Sequence, residues 1–230
     1  MDDAREDSGS DRGADPVEPV TIWPMDPVVR DILEVALSEF ANYGFEGTRI
    51  EAIAARMATS KRMIYYHFGS KEKLYDAVLS YAYDLVSSGA EHPGDIDTLP
   101  PLEALLALAG SAFDSFNRHP DFIRLTLQEN LRGAPVVSAS EAIRRINQGN
   151  LAGIARQLRR GQAEGSMRQD LEPLDVYITF VGLCSYHIAA RPAYKALFDT
   201  DFFSPQVRAR RRASICAALS AYVRASAAAT

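Results

Sequence analysis

Apolar residues in the first third of the chain recur at the spacing that places them on one face of an α-helix. A run at i, i+3, i+4 and i+7 follows Pro27, which is tolerated in a first helical turn because no amide donor is needed there. The run consists of Leu33, Ala36, Leu37 and Phe40. Gly44 comes next, and glycine commonly ends a helix because it adopts the left-handed conformation at little cost. The pattern predicts a first helix between Pro27 and Gly44.

Three further helices are predicted before residue 89. Thr48 and Glu51 have the spacing of a capping box, in which threonine accepts a backbone hydrogen bond and glutamate bonds back to the cap. Thr59 or Ser60 caps a third, short helix that ends near residue 67, and Ser70 caps a fourth that continues to about residue 88. Short helices joined by a turn of three to four residues indicate a helix-turn-helix.

The rest of the chain continues the helical pattern, interrupted by clusters of glycine and proline. Residues 89–101 are predicted to form a loop, and residues 133–135 a turn. Alternation with a period of two, which indicates a β-strand, never extends far enough for a sheet. The sequence therefore predicts an all-α protein. Helices are expected near residues 102–118, 121–131, 139–163, 172–190 and 205–225, with a short turn or helix at 192–199.

The start of the third helix carries side chains suited to contact nucleic acid. The residues that follow the turn are Ser60, Lys61, Arg62 and Met63. In a helix-turn-helix, the first residues of the second helix of the motif reach base edges in the major groove of DNA. Basic side chains beside them neutralise phosphates. The segment is predicted to bind duplex DNA, and the alternative for Lys61 and Arg62 is an ordinary solvated face.

Charge is distributed unevenly along the chain. Residues 1–23 alone carry a net charge of −5, equal to that of the whole chain, whereas residues 48–73 carry +4. An acidic average is therefore compatible with a local surface that binds anions. Residues 1–23 are rich in Asp, Gly, Ser and Pro and are predicted to be a disordered acidic leader. The leader is either a solvated segment without a role or a modulator near DNA, and phosphate repulsion argues against its entering a groove.

Composition excludes several classes of protein. Hydrophobic residues make up 47% of the chain and charged residues 24%, as in ordinary soluble globular proteins. No segment approaches the roughly 18 apolar residues of a membrane span, and the first residues lack the apolar stretch of a secretory signal. No membrane partner is expected. The two cysteines, Cys184 and Cys216, are too few for a disulfide scaffold, which favours a cytoplasmic location.

Motifs of common enzyme and cofactor sites are missing from the sequence. The chain contains no GxSxG, phosphate-binding loop, GxGxxG or HExxH. Cys184 and His187 lie at i and i+3 of a predicted helix, where core packing is favoured over a nucleophilic pair. We therefore expect no enzymatic activity, no cofactor and no metal ion.

The segment TRIEAIAARMATSKRMIYYHFGSKEKL, residues 48–74, closely resembles the DNA-binding region of the tetracycline-repressor (TetR) family. The resemblance extends over residues 27–88. Two features depart from the family pattern. Ala58 stands in the turn where the family often has glycine, and Arg62 and Met63 stand where it often has a pair of small residues. Long side chains at these two positions alter which operator is read rather than the mode of binding.

The resemblance implies a particular architecture and activity. It implies an all-helical homodimer in which a three-helix DNA-binding domain, here residues 24–73, precedes a larger domain, here residues 74–230. The larger domain would bind a small-molecule effector and form the dimer. The implied protein is a repressor that binds a palindrome-like double-stranded DNA operator and is released by its effector. An alternative is a DNA-binding protein that is ligand-independent or controlled by a partner, and an enzyme is a more distant one.

The resemblance and the side-chain chemistry together assign roles around the helix-turn-helix. Ser60, Lys61, Arg62 and Met63 face the groove. Ile64 and Phe68 are core. Phosphate contacts fix the register on DNA, whereas base contacts select the sequence. Residues expected to contact phosphate, or to shape the approach to it, are Thr48, Tyr65, Tyr66, His67 and Lys71. One of the two tyrosines is alternatively a packing residue, and the histidine an uncommitted surface group.

The C-terminal half also resembles part of the family, in the segments HPDFIRLTLQENLRGAP and GQAEGSMRQDLEPLDVYITFVGL. That branch includes regulators of pyrimidine degradation. Ligand cavities between bundled helices are mostly apolar with a few polar groups. Candidate wall residues are Phe113, Phe116, Phe122, Leu127, Tyr177, Phe180 and Tyr186, and candidate polar anchors are Gln128, Asn130, His187 and Arg191. Alternatively, the aromatic residues are ordinary core.

The resemblance further implies that the helices near 172–190 and 205–225 form a four-helix bundle with a second copy of the chain. A two-fold dimer would read two operator half-sites. An effector would shift the fourth helix and so change the spacing of the two recognition helices. The basic run at residues 208–212 is expected to be a solvated helix face, with a second nucleic-acid contact as the alternative.

Overall fold

The computed structural model describes residues 26–88, 95–199, 201 and 203–225. The predicted acidic leader, residues 1–23, lies outside them. Within these ranges the chain forms eleven α-helices and no β-strand. The helices are α1 (Pro27–Gly47), α2 (Ile50–Arg56), α3 (Lys61–Phe68), α4 (Lys71–Ser88), α5 (Pro101–Arg118), α6 (Pro120–Leu131), α7 (Pro135–Ala139), α8 (Glu141–Ala163), α9 (Pro173–Ala189), α10 (Arg191–Phe198) and α11 (Pro205–Val223).

The all-α prediction is confirmed, and the predicted long helices are present with ends that shift by a few residues. Two predicted irregular segments contain short helices. A 3-10 turn spans Ile96–Thr98 in the predicted loop, and α7 begins at Pro135, the last residue of the turn predicted at residues 133–135. Pro135 begins α7, where its missing amide donor costs nothing, so this proline starts a helix as well as closing a turn.

The helices α1 to α4 form the N-terminal head around a compact apolar core. The apolar face predicted for α1 is buried, from Ile32 to Phe40. Ile53 of α2, Ile64 of α3 and Leu74 of α4 pack into the same cluster. Gly44 has a φ of +69°, so α1 kinks there before one last turn. This kink is the interruption that the glycine predicts.

Helix capping agrees with the sequence at α3 and α4 but not at α2. The Ser60 hydroxyl accepts from the Met63 amide at 3.3 Å, and the Ser70 hydroxyl accepts from the Lys73 amide at 3.2 Å. The capping box predicted at Thr48 is wrong. Its hydroxyl instead donates to the carbonyl oxygens of Gly44 at 2.8 Å and of Glu39 at 3.1 Å. The kink in α1 leaves carbonyls that need a donor, and Thr48 supplies it.

The C-terminal bundle packs α5, α8, α9 and α11 around a second part of the core. Its buried residues include Phe113, Leu158, Val176 and Leu219. Helix α4 passes from the head into this bundle, where it packs on α8. Helix α6 also joins the two regions, because it lies along α1 on one side and against α9 on the other.

The basic run at the start of α11 is only partly a solvated face. Arg208 and Arg210 are exposed, as predicted. Arg212 forms an ion pair with Asp114 of α5 at 3.0 Å. Arg211 turns toward the bundle and donates to the Leu183 carbonyl at 3.4 Å. The run therefore divides between solvent and the packing of α11 on α5 and α9.

Candidate functional site

The N-terminal end of α3 presents a contiguous group of exposed side chains. Ser60 caps the helix, and the next three residues, Lys61, Arg62 and Met63, are exposed as predicted. Ser60, Arg62, Met63 and Tyr66 line a shallow, open depression on this surface. The group combines a guanidinium, a thioether and a phenol around one helix end. Such a surface offers donors and apolar contacts to base edges and a positive charge to phosphates.

The two cations at the start of α3 differ in their local partners. The Lys61 ammonium lies 3.3 Å from the Glu51 carboxylate of α2. A hydrogen bond from its own backbone amide, and then Lys61, lower the pKa of Glu51. Both side chains are well exposed, so the pair is weak and the ammonium remains accessible. Arg62 makes no ion pair with any carboxylate in the part of the chain that the structure describes.

The aromatic residues of α3 divide between surface and core. Tyr66 is 81% exposed, so it does not pack, and its ring meets His67 edge-on with centroids 5.2 Å apart. Tyr65 is also exposed but less so. Ile64 is buried, which confirms its core assignment, whereas Phe68 is half-buried against the core.

Thr48 does not share this surface. It is only 2% exposed, and its hydroxyl bonds backbone carbonyls of α1. A phosphate cannot reach a hydroxyl in that position, so the predicted phosphate contact through this side chain is corrected. Its role is to hold the start of α2 against the kink in α1.

Lys71 begins α4 at the edge of the α3 surface. Its ammonium lies 4.7 Å from the ring centroid of Phe45, which follows the kink in α1. Arg132, at the end of α6, lies 4.3 Å from the same ring and 5.0 Å from the ring of Tyr75. The sequence did not identify Phe45, Tyr75 or Arg132 as parts of this site. Phe45 and Arg132 are 87 positions apart in the sequence, so no local sequence pattern indicates that they are in contact.

Five of the predicted effector-binding residues lie in the C-terminal core along α5 and α9. The Phe113 ring stacks on His187, with centroids 5.2 Å apart and planes 22° apart. The His187 Nε2 lies 3.3 Å from the Asn117 side-chain oxygen. The other three are Phe116, Tyr177 and Phe180. Tyr177 donates to the Asn147 side-chain oxygen at 3.0 Å.

Burial dominates the electrostatics of this core. Burial, followed by the positive charge of Arg211, lowers the pKa of His187 to about 4. Burial raises the pKa of Cys184 to about 12, and its thiol donates to the Ala109 carbonyl at 3.6 Å. His187 is therefore a neutral polar group and Cys184 a small core residue at neutral pH. A reactive thiolate needs the opposite shift.

Two predicted polar anchors lie elsewhere. Arg191 is exposed, pairs with Asp201 at 3.3 Å and stacks 4.0 Å from the ring centroid of Phe203. The Gln128 side-chain oxygen lies 3.2 Å from the position that a Cβ on Gly44 would occupy, so this residue faces the head. Both side chains lie away from the cluster around Phe113, and their contact with an effector stays a prediction. Leu127, Tyr186 and Asn130, also offered as pocket residues, are exposed.

In residues 26–88, 95–199, 201 and 203–225, no group of three His, Cys, Asp or Glu side chains is arranged to hold a metal ion. Among the helices of those same ranges, none has the length and apolar character needed to span a membrane.

Comparison with known proteins identifies the family to which this helical chain belongs. The model of bacterial regulatory proteins of the tetR family matches residues 32–78, and that of the tetracyclin repressor-like C-terminal domain matches residues 101–219. The chain belongs to the TetR family. As a TetR-family protein it is a DNA-binding transcriptional regulator, and the first match contains the whole of α2 and α3.

Individual relatives agree with this assignment. The HTH-type transcriptional repressor NicS of Pseudomonas putida is 33% identical over 180 residues, which are 78% of this chain and 84% of NicS. The HTH-type transcriptional repressor SCO4008 of Streptomyces coelicolor is 29% identical over 158 residues, 68% of this chain and 76% of the relative. The ketosteroid transcriptional regulator KstR2 of Mycobacterium tuberculosis shares the fold, with a TM-score of 0.66 at 21% identity, over 88% of this chain and 97% of KstR2.

Proposed function

We propose that this TetR-family regulator is a homodimeric repressor that binds a two-fold-symmetric DNA operator and releases it when a small-molecule effector binds. The observation that carries the proposal is the exposed end of α3, where Ser60, Arg62, Met63 and Tyr66 surround one depression. Repression is supported by the similarity to NicS and SCO4008, which are both transcriptional repressors. We also propose that the DNA-binding domain ends near the start of α4.

In the proposed DNA complex, α3 enters the major groove. Arg62 is the side chain best suited to read a guanine edge, because a guanidinium donates two parallel hydrogen bonds. Tyr66 and Lys61 lie beside it and would contact the backbone. His67, Tyr65 and Lys71 would extend the phosphate contacts along the same side of the head. Because the Lys61–Glu51 ion pair is weak, the Lys61 ammonium would leave the Glu51 carboxylate and pair with a phosphate when DNA binds.

The proposed dimer uses α9 and α11. Helix α9 leaves Leu174, Ile178 and Tyr186 exposed in the single chain. Helix α11 presents exposed alanines at Ala209, Ala213, Ala217 and Ala221, which allow a second helix to approach closely. Apolar and small residues on adjacent helices suit a two-fold interface. Such a dimer would give the operator two half-sites about one helical turn, or a multiple of it, apart.

The proposed effector site lies between α5 and α9. Phe113, Phe116, Tyr177 and Phe180 supply the apolar wall, and His187 supplies a neutral polar group. Because α4 and α6 connect this bundle to the head, an effector that shifts their packing would change the separation of the two α3 helices. Effector and operator would then oppose each other reciprocally, with a coupling of about 1–3 kcal/mol.

Selection of bound duplexes from random-sequence DNA tests the proposal. We expect a two-fold-symmetric consensus, retarded in a gel as a complex of two chains. Tyr66→Ala should weaken binding, whereas Phe198→Ala, an exposed aromatic control on α10, should not. Failure to enrich any sequence would overturn the proposed DNA binding. For the effector, compounds that raise the Tm should also release the selected duplex, since a ligand stabilises the state that it binds.

A further inference from the structure

The ring of Phe45 links the proposed phosphate contact of Lys71 to the C-terminal bundle. Phe45 lies in the last turn of α1, directly after the kink at Gly44. Its ring is within 5 Å of two cations, the Lys71 ammonium and the Arg132 guanidinium. Cations at this distance are attracted to the electron-rich face of an aromatic ring. Tyr75 meets the same ring edge-on, with centroids 5.1 Å apart.

Arg132 is itself held in place from the side of the bundle. Its guanidinium pairs with Glu129 at 3.3 Å, and Glu129 is fully buried. The second oxygen of Glu129 accepts from the amides of Val136 at 2.7 Å and Val137 at 3.4 Å at the start of α7. A buried carboxylate with a guanidinium and two amide donors is well compensated. The α6–α7 corner thus fixes the orientation of Arg132.

Helix α6 contacts the kink of α1 through two residues four positions apart. Gln128 lies against Gly44, and Arg132 lies against Phe45. Residues at i and i+4 share one face of a helix. The last turn of α1 follows a break in the helix, so its position depends on these outside contacts rather than on continuous helical hydrogen bonds. The Phe45 ring is therefore held by Arg132 of the α6 end together with the rings of Phe40 and Tyr75.

We propose that Arg132 is a positioning residue for DNA binding: by holding the Phe45 ring, it sets the Lys71 ammonium against an operator phosphate. The proposal rests on the proposed function, because it uses the phosphate contact of Lys71. It gives α6 a defined chemical link to the DNA-facing surface. Arg132 acts through Lys71, so its removal has no effect of its own once Lys71 is gone.

A double-mutant cycle on the full chain tests this inference with the selected duplex as the probe. Arg132→Gln should weaken binding by roughly threefold to tenfold and lower the slope of log K against log salt by about one phosphate contact. Lys71→Ala should do the same, and the double variant should be no weaker than Lys71→Ala alone. Arg124→Gln, an exposed arginine of α6 paired with Asp121, is the matched control and should leave both affinity and slope unchanged.

One further variant separates the loss of the salt slope from a general loss of folding. Arg132→Gln leaves Glu129 buried without its cation, which destabilises the chain. Phe45→Leu removes the aromatic face while keeping apolar bulk, and it should reproduce the loss of salt slope.

Each outcome has a distinct meaning. Additive losses in the cycle, or an unchanged salt slope in both Arg132→Gln and Phe45→Leu, would overturn the positioning role while leaving the repressor proposal intact. A parent chain that binds no selected duplex would instead overturn the proposed function. Non-additive losses with a common change of slope would support the link from Arg132 through Phe45 to Lys71.

Discussion

The head exposes the side chains of its α3 surface to solvent, whereas the C-terminal bundle buries its polar side chains. In the head, Arg62, Met63 and Tyr66 project from α3 into solvent. In the bundle, the polar side chains of Asn117 and His187 are buried and bonded to one another. Side chains are therefore accessible to a partner in the head and bonded within the core in the bundle.

This difference determines how closely function and stability are linked. An exposed side chain can be replaced with little effect on folding, so changes on α3 should act on DNA binding alone. A buried polar group loses its bond or leaves a cavity when replaced, so changes in the bundle should act on folding first. We therefore expect the exposed end of α3 to be separable from the fold, whereas the proposed effector site should not be.

Phe113→Ala should give the largest effect on stability. The side chain is fully buried and stacks on His187, so truncation removes apolar contacts and leaves a cavity. We expect the free energy of unfolding to fall by about 3–5 kcal/mol, measured by urea denaturation. Tyr66→Ala is the control from the head and should change it by less than about 0.5 kcal/mol. Equal losses in the two variants would remove the distinction between the regions.

His187→Gln should change how stability depends on pH. The pKa of His187 is about 4 when folded and near 6.5 when unfolded. Between these values the unfolded chain binds a proton that the folded chain does not, so stability falls as the pH drops from 6.5 to 4. The contribution approaches about 3 kcal/mol at the acid end.

The glutamine variant lacks that titration, and its stability should decline less over the same pH interval. Parent and His187→Gln curves that run parallel from pH 7 to pH 4 would contradict a buried neutral histidine. Chemical denaturation at a series of pH values measures the difference.

Helix positions and the exposed α3 surface follow from local features that a sequence contains. Apolar spacing and the caps at Ser60 and Ser70 depend on residues within one or two turns of each other. The prediction for Thr48 failed because its hydrogen-bond acceptors lie in α1, beyond a kink. The neighbours of Gln128 and Arg191 could not be predicted from the sequence, because only the tertiary fold brings Gly44 and Asp201 to them.

Arg62→Ala should alter sequence preference with little effect on folding. Loss of a bidentate contact to a base typically costs about 1–3 kcal/mol and relaxes selection at one position of each half-site. Repeating the DNA selection with the variant measures both effects. Arg159→Ala, an exposed arginine of α8, is the control and should select the parent sequence. An unchanged consensus for Arg62→Ala would mean that this side chain reads no base.

Ala58→Gly should stabilise the head, and it is the smallest effect expected here. Ala58 has a φ of +51° in the turn between α2 and α3, a conformation that its Cβ disfavours by about 1–2 kcal/mol. Glycine removes that strain but adds freedom to the unfolded chain, which offsets about 0.4–1 kcal/mol. The net gain should be about 0.5–1 kcal/mol in thermal or chemical unfolding.

Ala52→Gly in α2 is the matched control, because the same substitution acts there on an exposed residue with ordinary helical geometry. In a helix, glycine costs about 1 kcal/mol relative to alanine, so the two variants should move the unfolding midpoint in opposite directions. If both lowered it, the turn would not hold Ala58 in the left-handed conformation. Opposite signs would show that the turn of the helix-turn-helix, like the side chains of α3, is set locally and can be altered without repacking the bundle.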